Sequence, residues 1–424
     1  MVAPEDGDGR GAGARLPGAL RVFWVGSVVA LGVALLLAWV GFRKGLPADE
    51  WDPLAGAWFA DLMEYAPTFR LLHTAGFFDH AGRSPVAYPP FGAVLFAAFY
   101  AVGRPVVLYL AMLAAGLASA VWGVRRGLIR SGIGHGTALL FPLTVAVVSF
   151  PIAGLVQRGN IELVVWGFAA AGVWAWWHRR DDAAGLLWGL AAAMKLYPVV
   201  LLLLLLPRGR WRAFAVGVAA FAGVSVAAMA WLGPTAAVAW HGSIANVFGY
   251  QGVRVGEWSL HELAANHSAF GLVKVLAVGM GWPAARLTLP YYAAGAAVLA
   301  AAFFGRLWKM PRANQLLAVT AFMVMLPPVS YFYTLVHLYA AWVVLVFVAM
   351  RAQRAGVRVR GLAGTILLFV PLFCSFTVLT WRGVWLFGGL VQAGLLGVLF
   401  VCALRFPFAE DEAFETPGVG IVAS

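Results

Sequence analysis

A small set of polar side chains in this chain has the types and positions that acid–base chemistry or anion binding would need. The segment between Arg43 and Pro90 holds six of the eighteen acidic residues: Asp49, Glu50, Asp52, Asp61, Glu64 and Asp79. In a chain whose net charge is +12, such a cluster is either a solvated loop or an active-site loop in which one carboxylate acts as a general base.

Three further residues could carry charge inside apolar segments, where a charged side chain costs roughly 2.5–3.5 kcal/mol on insertion. Lys195 lies in the middle of an apolar run, where either an anionic ligand such as a phosphate or a carboxylate distant in sequence would pair with it. Glu162 stands at a predicted helix start, where the helix dipole alone favours a carboxylate. His337 lies in an aromatic helix, where a histidine is more often hydrogen-bonded within the bundle than used in chemistry.

The chain lacks the spacings that would indicate other kinds of site. There is no HExxH, HxxxH or Cys/His pattern for zinc, and no GxSxG, Walker loop or GxGxxG opening a helix after a strand. Cys374 and Cys402 both fall in apolar runs, where they read as small buried hydrophobes. We therefore expect no metal or other cofactor.

Composition places these residues in a membrane protein. Hydrophobic residues make up 62% of the chain and charged residues 11%, against about 25% charged in soluble domains. Apolar runs of about 20 residues recur throughout, and short arginine clusters separate them, as membrane orientation rather than nucleic-acid binding requires. The predicted fold is all-α, a polytopic bundle of roughly 10–13 membrane helices with a long first extracytoplasmic loop.

The predicted organisation follows from the positive-inside rule. Residues 1–20 form a disordered cytoplasmic tail, and 21–232 form a first membrane module with an outer loop at 43–90. Residues 233–405 supply a second outer loop and the C-terminal membrane helices, and 406–424 form a second cytoplasmic tail. This topology brings five polar residues to the outer face: Asp61, Tyr88, Asn160, His267 and Ser330.

Three apolar runs do not fit a single crossing. The run 183–206 has basic clusters at both ends, so a broken hairpin that bends near Lys195-Leu196-Tyr197-Pro198 keeps both on the cytoplasmic side. The runs 88–103 and 270–281 are short for a span and are predicted to dip into the membrane or lie at its interface.

Six short motifs together resemble glycosyltransferase family 87, a family of membrane enzymes in the GT-C superfamily. In chain order they are Asp61-Leu62-Met63-Glu64-Tyr65, Tyr88-Pro89-Pro90, Arg158-Gly159-Asn160, Ala191-Ala192-Ala193-Met194-Lys195-Leu196-Tyr197-Pro198, Asn266-His267-Ser268 and Pro328-Val329-Ser330-Tyr331. Family members usually place one or two histidines directly after the last motif, whereas here Phe332 and Tyr333 follow and His337 comes later.

The resemblance implies a GT-C bundle in the cell membrane with its active site on the extracytoplasmic face. It implies transfer of a sugar from a polyprenyl phosphate to a glycan or glycolipid. Mannose is the first choice for that sugar, and arabinofuranose is the other candidate. Asp61 would be the base of an inverting reaction, with Lys195 and Arg158 holding the donor phosphate and Glu64 an alternative nucleophile for retention. The implied substrate-binding residues are Glu64, Tyr65, Tyr88, Asn160, Glu162, Asn266, His267, Ser330 and His337.

A second hypothesis fits the broken helix and its lysine equally well. Transporters of lipid-linked intermediates also bind anions at discontinuous helices, so a flippase is the alternative. The acidic outer loop favours the transferase, because a flippase does not require it.

Overall fold

The computed structural model describes residues 15–45, 58–79, 86, 88–250, 255, 263, 266–374 and 388–408. Within these ranges the secondary structure is helical and contains no β-strand, which confirms the all-α prediction. One isolated antiparallel bridge joins Asn266 to Tyr331. Asp49, Glu50 and Asp52 and most of both predicted tails lie outside the described residues.

The α-helices of the described residues are, in chain order, α1 (Gly18–Arg43), α2 (Ala60–Glu64), α3 (Ala66–Phe69), α4 (Pro90–Ala101), α5 (Pro105–Arg130), α6 (His135–Val147), α7 (Phe150–Arg158), α8 (Glu162–Trp177), α9 (Asp181–Met194), α10 (Trp211–Leu232), α11 (Ala236–Tyr250), α12 (Phe270–Gly279), α13 (Thr288–Gly305), α14 (Arg312–Met325), α15 (Leu338–Arg354), α16 (Leu362–Leu367), α17 (Phe369–Phe373) and α18 (Gly388–Arg405). The 3-10 helices are Ala75–Phe77, Tyr197–Arg208, Ala284–Leu287, Leu307–Lys309 and Phe332–His337.

Several of these helices are long enough to cross a membrane. Six helices or continuous helix pairs of the described chain meet the length and hydropathy requirement, and α6 with α7, bent by 50°, would be a seventh. The total falls below the predicted 10–13 because α8, α9 and α14 have only 14 to 16 residues. Their largely buried side chains show that these three helices pack inside the bundle.

The arginine clusters gather at one end of the bundle, here called the basic end. Arg210 pairs with Asp181 at 3.0 Å and Arg212 with Asp182 at 3.2 Å. Two further contacts tie distant helix termini together there: Arg354 donates to the Arg130 carbonyl, and Arg312 donates to the Trp177 carbonyl. The positively charged loops predicted to share one membrane side therefore lie together.

The run 183–206 forms the predicted hairpin. Helix α9 leaves the basic end, the chain breaks at Lys195, whose backbone is extended, and the 3-10 helix Tyr197–Arg208 returns. Trp176 near the basic end donates to the Leu204 carbonyl, which fixes the returning direction. Twelve residues of 3-10 helix span about 24 Å, so the returning segment covers a distance similar to the roughly 21 Å of the 14-residue α9.

Helix α4 has 12 residues and packs against α3, α9 and α10, with Gly92 beside the Met194 carbonyl at the end of α9 far from the basic end. Tyr88, two residues before α4, donates to Asp61, and Tyr100 near its C-terminus donates to the Leu62 carbonyl. Tyrosines at both ends of α4 thus contact α2 or its neighbourhood. This agrees with the prediction that residues 88–103 do not span the membrane. Helix α12, with ten residues, is also too short to cross. At the other terminus of the chain, α1 begins at Gly18, so residues 18–20, predicted as tail, are helical.

Candidate functional site

The turn between α7 and α8 contacts two carboxylate residues, Asp61 and Glu162, at the end of the bundle opposite the arginine clusters. Gly159 adopts a left-handed conformation with φ of 59°, and a Cβ there would lie 2.9 Å from Phe59 Cα, just before α2. Glycine is therefore required for α2 to approach this turn. Asn160 then accepts a bond from the Glu162 backbone N–H at 2.9 Å and caps α8.

Asp61 is buried and has a partner on each oxygen. Its Oδ1 lies 2.7 Å from Nη2 of Arg158, and its Oδ2 accepts from the Tyr88 hydroxyl at 3.1 Å. The Asn160 side-chain amide donates to the same Oδ2 and also to the Tyr88 hydroxyl at 2.7 Å. Asp61 is thus held in one orientation by residues from α7, the α7–α8 turn and the segment before α4.

Glu162 is the hub of a second polar cluster and is fully buried. Its Oε2 accepts from Lys195 Nζ at 2.6 Å, and its Oε1 accepts from the Tyr197 hydroxyl and from His337 Nε2, the latter at 2.6 Å. A carboxylate only accepts hydrogen bonds, so His337 Nε2 carries a proton. Glu162 therefore does more than cap α8.

Lys195 connects the two clusters. Its Nζ lies 5.5 Å from the centroid of the Tyr88 ring and 5.4 Å from that of the Tyr333 ring, within cation–π range. The Tyr88 hydroxyl donates to Asp61, so the Tyr88 side chain contacts both the Asp61 cluster and Lys195 of the Glu162 cluster. The Arg158 guanidinium also lies near Tyr88 and Tyr333. Two cations, each paired with its own carboxylate, thus share the same tyrosine neighbours.

The structure brings together most of the residues that the sequence singled out. Asp61, Tyr88, Arg158 and Asn160 form the first cluster, and Glu162, Lys195 and His337 belong to the second. For Lys195 the alternative of a carboxylate distant in sequence is realised, since Glu162 pairs with it.

Two other predicted residues stand at the edge of this site. Glu64 is exposed one helical turn after Asp61. Tyr65 is half-buried and packs edge-on against Tyr88 at a centroid distance of 5.8 Å. Tyr65 therefore supports Tyr88, and Glu64 faces the surface of the site.

Asn266, His267 and Ser330 form a separate unit with Ser268 and Thr334, here called the loop clasp. The Asn266 Oδ1 accepts from the backbone N–H groups of Ser268 and Ser330, and His267 Nε2 lies 3.1 Å from both Ser330 Oγ and Thr334 Oγ1. Burial lowers the pKa of His267 to about 3, so its ring is neutral.

The predicted site residues of the loop clasp, Asn266, His267 and Ser330, are fully or almost fully buried within it. Thr334 belongs to the 3-10 helix Phe332–His337, which also carries Tyr333 and His337. The clasp therefore ties the second predicted outer loop to the helix that delivers two side chains to the Glu162 cluster.

Sequence reasoning did not assign a site role to two residues that contact the Glu162–Lys195 pair in the structure, Tyr197 and Tyr333. Tyr197 bonds Glu162 and lies 3.0 Å from His337 Nε2, and Tyr333 covers Lys195. A signal for Tyr197 was present, since it lies two residues after Lys195 at the predicted hairpin bend. Nothing in the local pattern separates Tyr333 from the aromatic residues around it. Among the described residues, no group of three or more His, Cys, Asp or Glu side chains could hold a metal ion.

Comparison with known proteins identifies the family. The model of glycosyltransferase family 87 matches residues 87–330, more than half of the chain, including Tyr88, Arg158, Asn160, Glu162 and Lys195. No curated protein sequence and no solved structure matches the chain at a significant level. Asp61 and His337 lie outside the matched segment but contact it directly. The chain belongs to glycosyltransferase family 87 and is a multi-pass membrane glycosyltransferase.

Proposed function

We propose that the protein transfers mannose from a polyprenyl-phosphate donor to a hydroxyl group of a glycan or glycolipid, with inversion at the anomeric carbon. The observation that carries this proposal is the pair of carboxylate–cation contacts, Asp61 with Arg158 and Glu162 with Lys195, which meet around Tyr88. A carboxylate suits the base of a transfer reaction, and neighbouring cations suit a phosphate leaving group.

In the proposed reaction the acceptor oxygen attacks the anomeric carbon while the bond from that carbon to the phosphate oxygen breaks. The electron pair of the broken bond stays on the phosphate, and the acceptor proton passes to Asp61. The phosphodiester carries one negative charge and the released monoester up to two. Arg158 and Lys195 therefore have an additional charge to stabilise as the bond breaks, Arg158 with the planar fork that fits phosphate oxygens.

Inversion is supported by what the second carboxylate does. A retaining enzyme needs a nucleophilic carboxylate at the anomeric carbon in addition to the acid–base group, by analogy with glycoside hydrolases. Glu162 is fully buried and accepts bonds from three side chains, so it has no free face for attack. Glu64 is exposed and suits a sugar hydroxyl better than a buried reaction centre.

The arginine distribution supports an extracytoplasmic site. Asp61 lies at the end of the bundle opposite the basic end, and cytoplasmic loops carry the excess of lysine and arginine. We propose that the reaction occurs on the extracytoplasmic face and needs no metal ion, with Arg158 and Lys195 supplying the positive charge. Membrane lipids surround the spanning helices, and the donor's prenyl chain would lie among them.

The test is sugar transfer from radiolabelled polyprenyl-phosphate mannose by membranes that contain the protein. Asp61→Asn should lower kcat by about 10²–10⁴-fold, the usual contribution of a general base, with the protein still folded. The matched control is Asp182→Asn at the basic end, which should keep full activity. Full activity in Asp61→Asn would refute the base assignment.

The donor arm of the same assay uses Lys195→Ala, which should raise the KM for the donor. An unchanged KM would mean that Lys195 is purely structural. A parallel reaction with an arabinofuranosyl donor tests which sugar is transferred. A second reaction with EDTA tests whether transfer proceeds without a metal ion. Transfer of arabinofuranose but not mannose, or loss of activity in EDTA that Mg²⁺ or Mn²⁺ restores, would contradict those parts of the proposal.

A further inference from the structure

The ion pair between Arg158 and Asp61 obstructs the base that the reaction needs. A general base must direct a lone pair at the hydroxyl it deprotonates. Here Oδ1 faces Arg158 Nη2 at 2.7 Å, and Oδ2 accepts from Tyr88 and Asn160. Oδ2 already accepts two bonds, whereas Oδ1 is buried against the Arg158 guanidinium and accepts no hydrogen bond from the described residues, so an acceptor hydroxyl can reach Oδ1 only if a neighbour moves.

Only one of the three partners can leave without dismantling the site. Asn160 is buried and also caps α8 through the Glu162 backbone N–H. Tyr88 is held by Asn160 on its hydroxyl and by Tyr65 and Phe96 against its ring. Arg158, in contrast, is the last residue of α7, and 38% of its side chain is exposed.

Arg158 also has unused hydrogen-bonding capacity. Within the described chain its Nε has no hydrogen-bond partner, although Nε is buried and lies on the same edge of the guanidinium as one of the two Nη groups. A guanidinium edge with two N–H groups matches two phosphate oxygens better than the single Asp61 oxygen it now faces. Its neighbours Tyr88 and Tyr333 are also those of Lys195, the other cation of the site.

We propose that Arg158 gates the base: it covers Asp61 Oδ1 while the site is empty and turns to the phosphate when a prenyl phosphate binds. The phosphate thereby uncovers the oxygen that receives the acceptor proton, and the acceptor can engage only after the donor. Arg158 is then a positioning residue for Asp61 as well as a phosphate ligand. This inference rests on the proposed function for the identity of the anion.

The experiment measures how fast Asp61 reacts with a carbodiimide and glycine ethyl ester in the full-length protein, by peptide mapping with mass spectrometry. The probe ligand is farnesyl phosphate, which has no sugar. In the wild type, farnesyl phosphate should speed the labelling of Asp61, and Arg158→Gln should speed it about tenfold with or without the ligand. Arg158→Met, which removes the charge and keeps a long side chain, serves if Arg158→Gln does not fold.

Asp181 provides the internal control, because Arg210 pairs with it at the basic end at 3.0 Å. Neither farnesyl phosphate nor Arg158→Gln should change its labelling, whereas Arg210→Gln should speed labelling of Asp181 and leave Asp61 unchanged. The gate is refuted if the Arg158 variants leave Asp61 labelling at the wild-type rate, or if farnesyl phosphate slows it or has no effect.

The gate and the donor assignment fail in different ways. Mannose transfer from the polyprenyl-phosphate donor without any change in Asp61 labelling would remove the gate and leave the proposed function intact. Faster labelling with farnesyl phosphate but no transfer from any polyprenyl-phosphate sugar would keep the gate and remove the proposed donor.

Discussion

The buried pair of Glu162 and Lys195 should be strongly coupled, and a double-mutant cycle can measure this. Glu162→Gln keeps the shape of the side chain but removes the charge that faces the Lys195 ammonium at 2.6 Å. Glu162 is fully buried, and the Lys195 side chain is only 15% exposed. Removing one partner of a buried ion pair costs about 3–5 kcal/mol, because the other charge stays in the protein without compensation.

The two single variants should differ in their effect on the free energy of unfolding. Glu162 accepts bonds from Lys195, Tyr197 and His337, whereas Lys195 donates to the one carboxylate. We therefore expect Glu162→Gln to cost about 3–5 kcal/mol and Lys195→Met less, since His337 and Tyr197 still donate to the carboxylate in Lys195→Met. The double variant should be more stable than the sum of the single changes predicts by about 2 kcal/mol.

The assay is unfolding in mixed detergent micelles titrated with SDS, followed by tryptophan fluorescence. The control cycle uses Arg210 and Asp181, whose side chains are 51% and 13% exposed, and should give a coupling of about 0–1 kcal/mol. If the effects of the Glu162 and Lys195 substitutions are additive within about 0.5 kcal/mol, the contact contributes no pairwise energy. Glu162 is then not the hub of the second cluster.

Two further predictions concern the elements that hold the site. A Cβ at Gly92 on α4 would lie 2.7 Å from the Met194 carbonyl next to Lys195, so Gly92→Ala should destabilise the protein by about 1–3 kcal/mol and lower kcat, measured by unfolding and transfer assays. Gly116→Ala, which meets open space, is its control, and equal effects of the two changes would contradict the packing argument. His267 is neutral when folded, with its pKa lowered to about 3, so stability should fall by up to about 1.4 kcal/mol per unit as pH drops from about 6.5 towards 3. The unfolded state binds that proton in this range and the folded state does not. His267→Gln, which still offers an acceptor to Ser330 and Thr334, should flatten this part of the pH profile, and an unchanged profile would show that another group causes it.

The sequence by itself determined the class of the protein and much of its topology. Apolar runs separated by arginine clusters specify a membrane bundle, because lipid admits only internally hydrogen-bonded spans and basic loops fix their orientation. Basic residues at both ends of the run 183–206, with a proline inside it, predicted a hairpin that the structure contains. The resemblance of its short motifs to glycosyltransferase family 87 gave Asp61 as the candidate base.

The tertiary structure alone decided which charges meet. Lys195 and Glu162 are 33 residues apart and His337 and Glu162 are 175 apart, and no periodicity relates positions at such separations. Arg158 was expected to bind only the donor phosphate, but the turn at Gly159 brings it to Asp61. His267 and Ser330 were expected among the substrate ligands, and the packing of two distant segments makes them a buried clasp. Ion pairing in an apolar interior depends on distance and burial, which the chain acquires only when its helices pack.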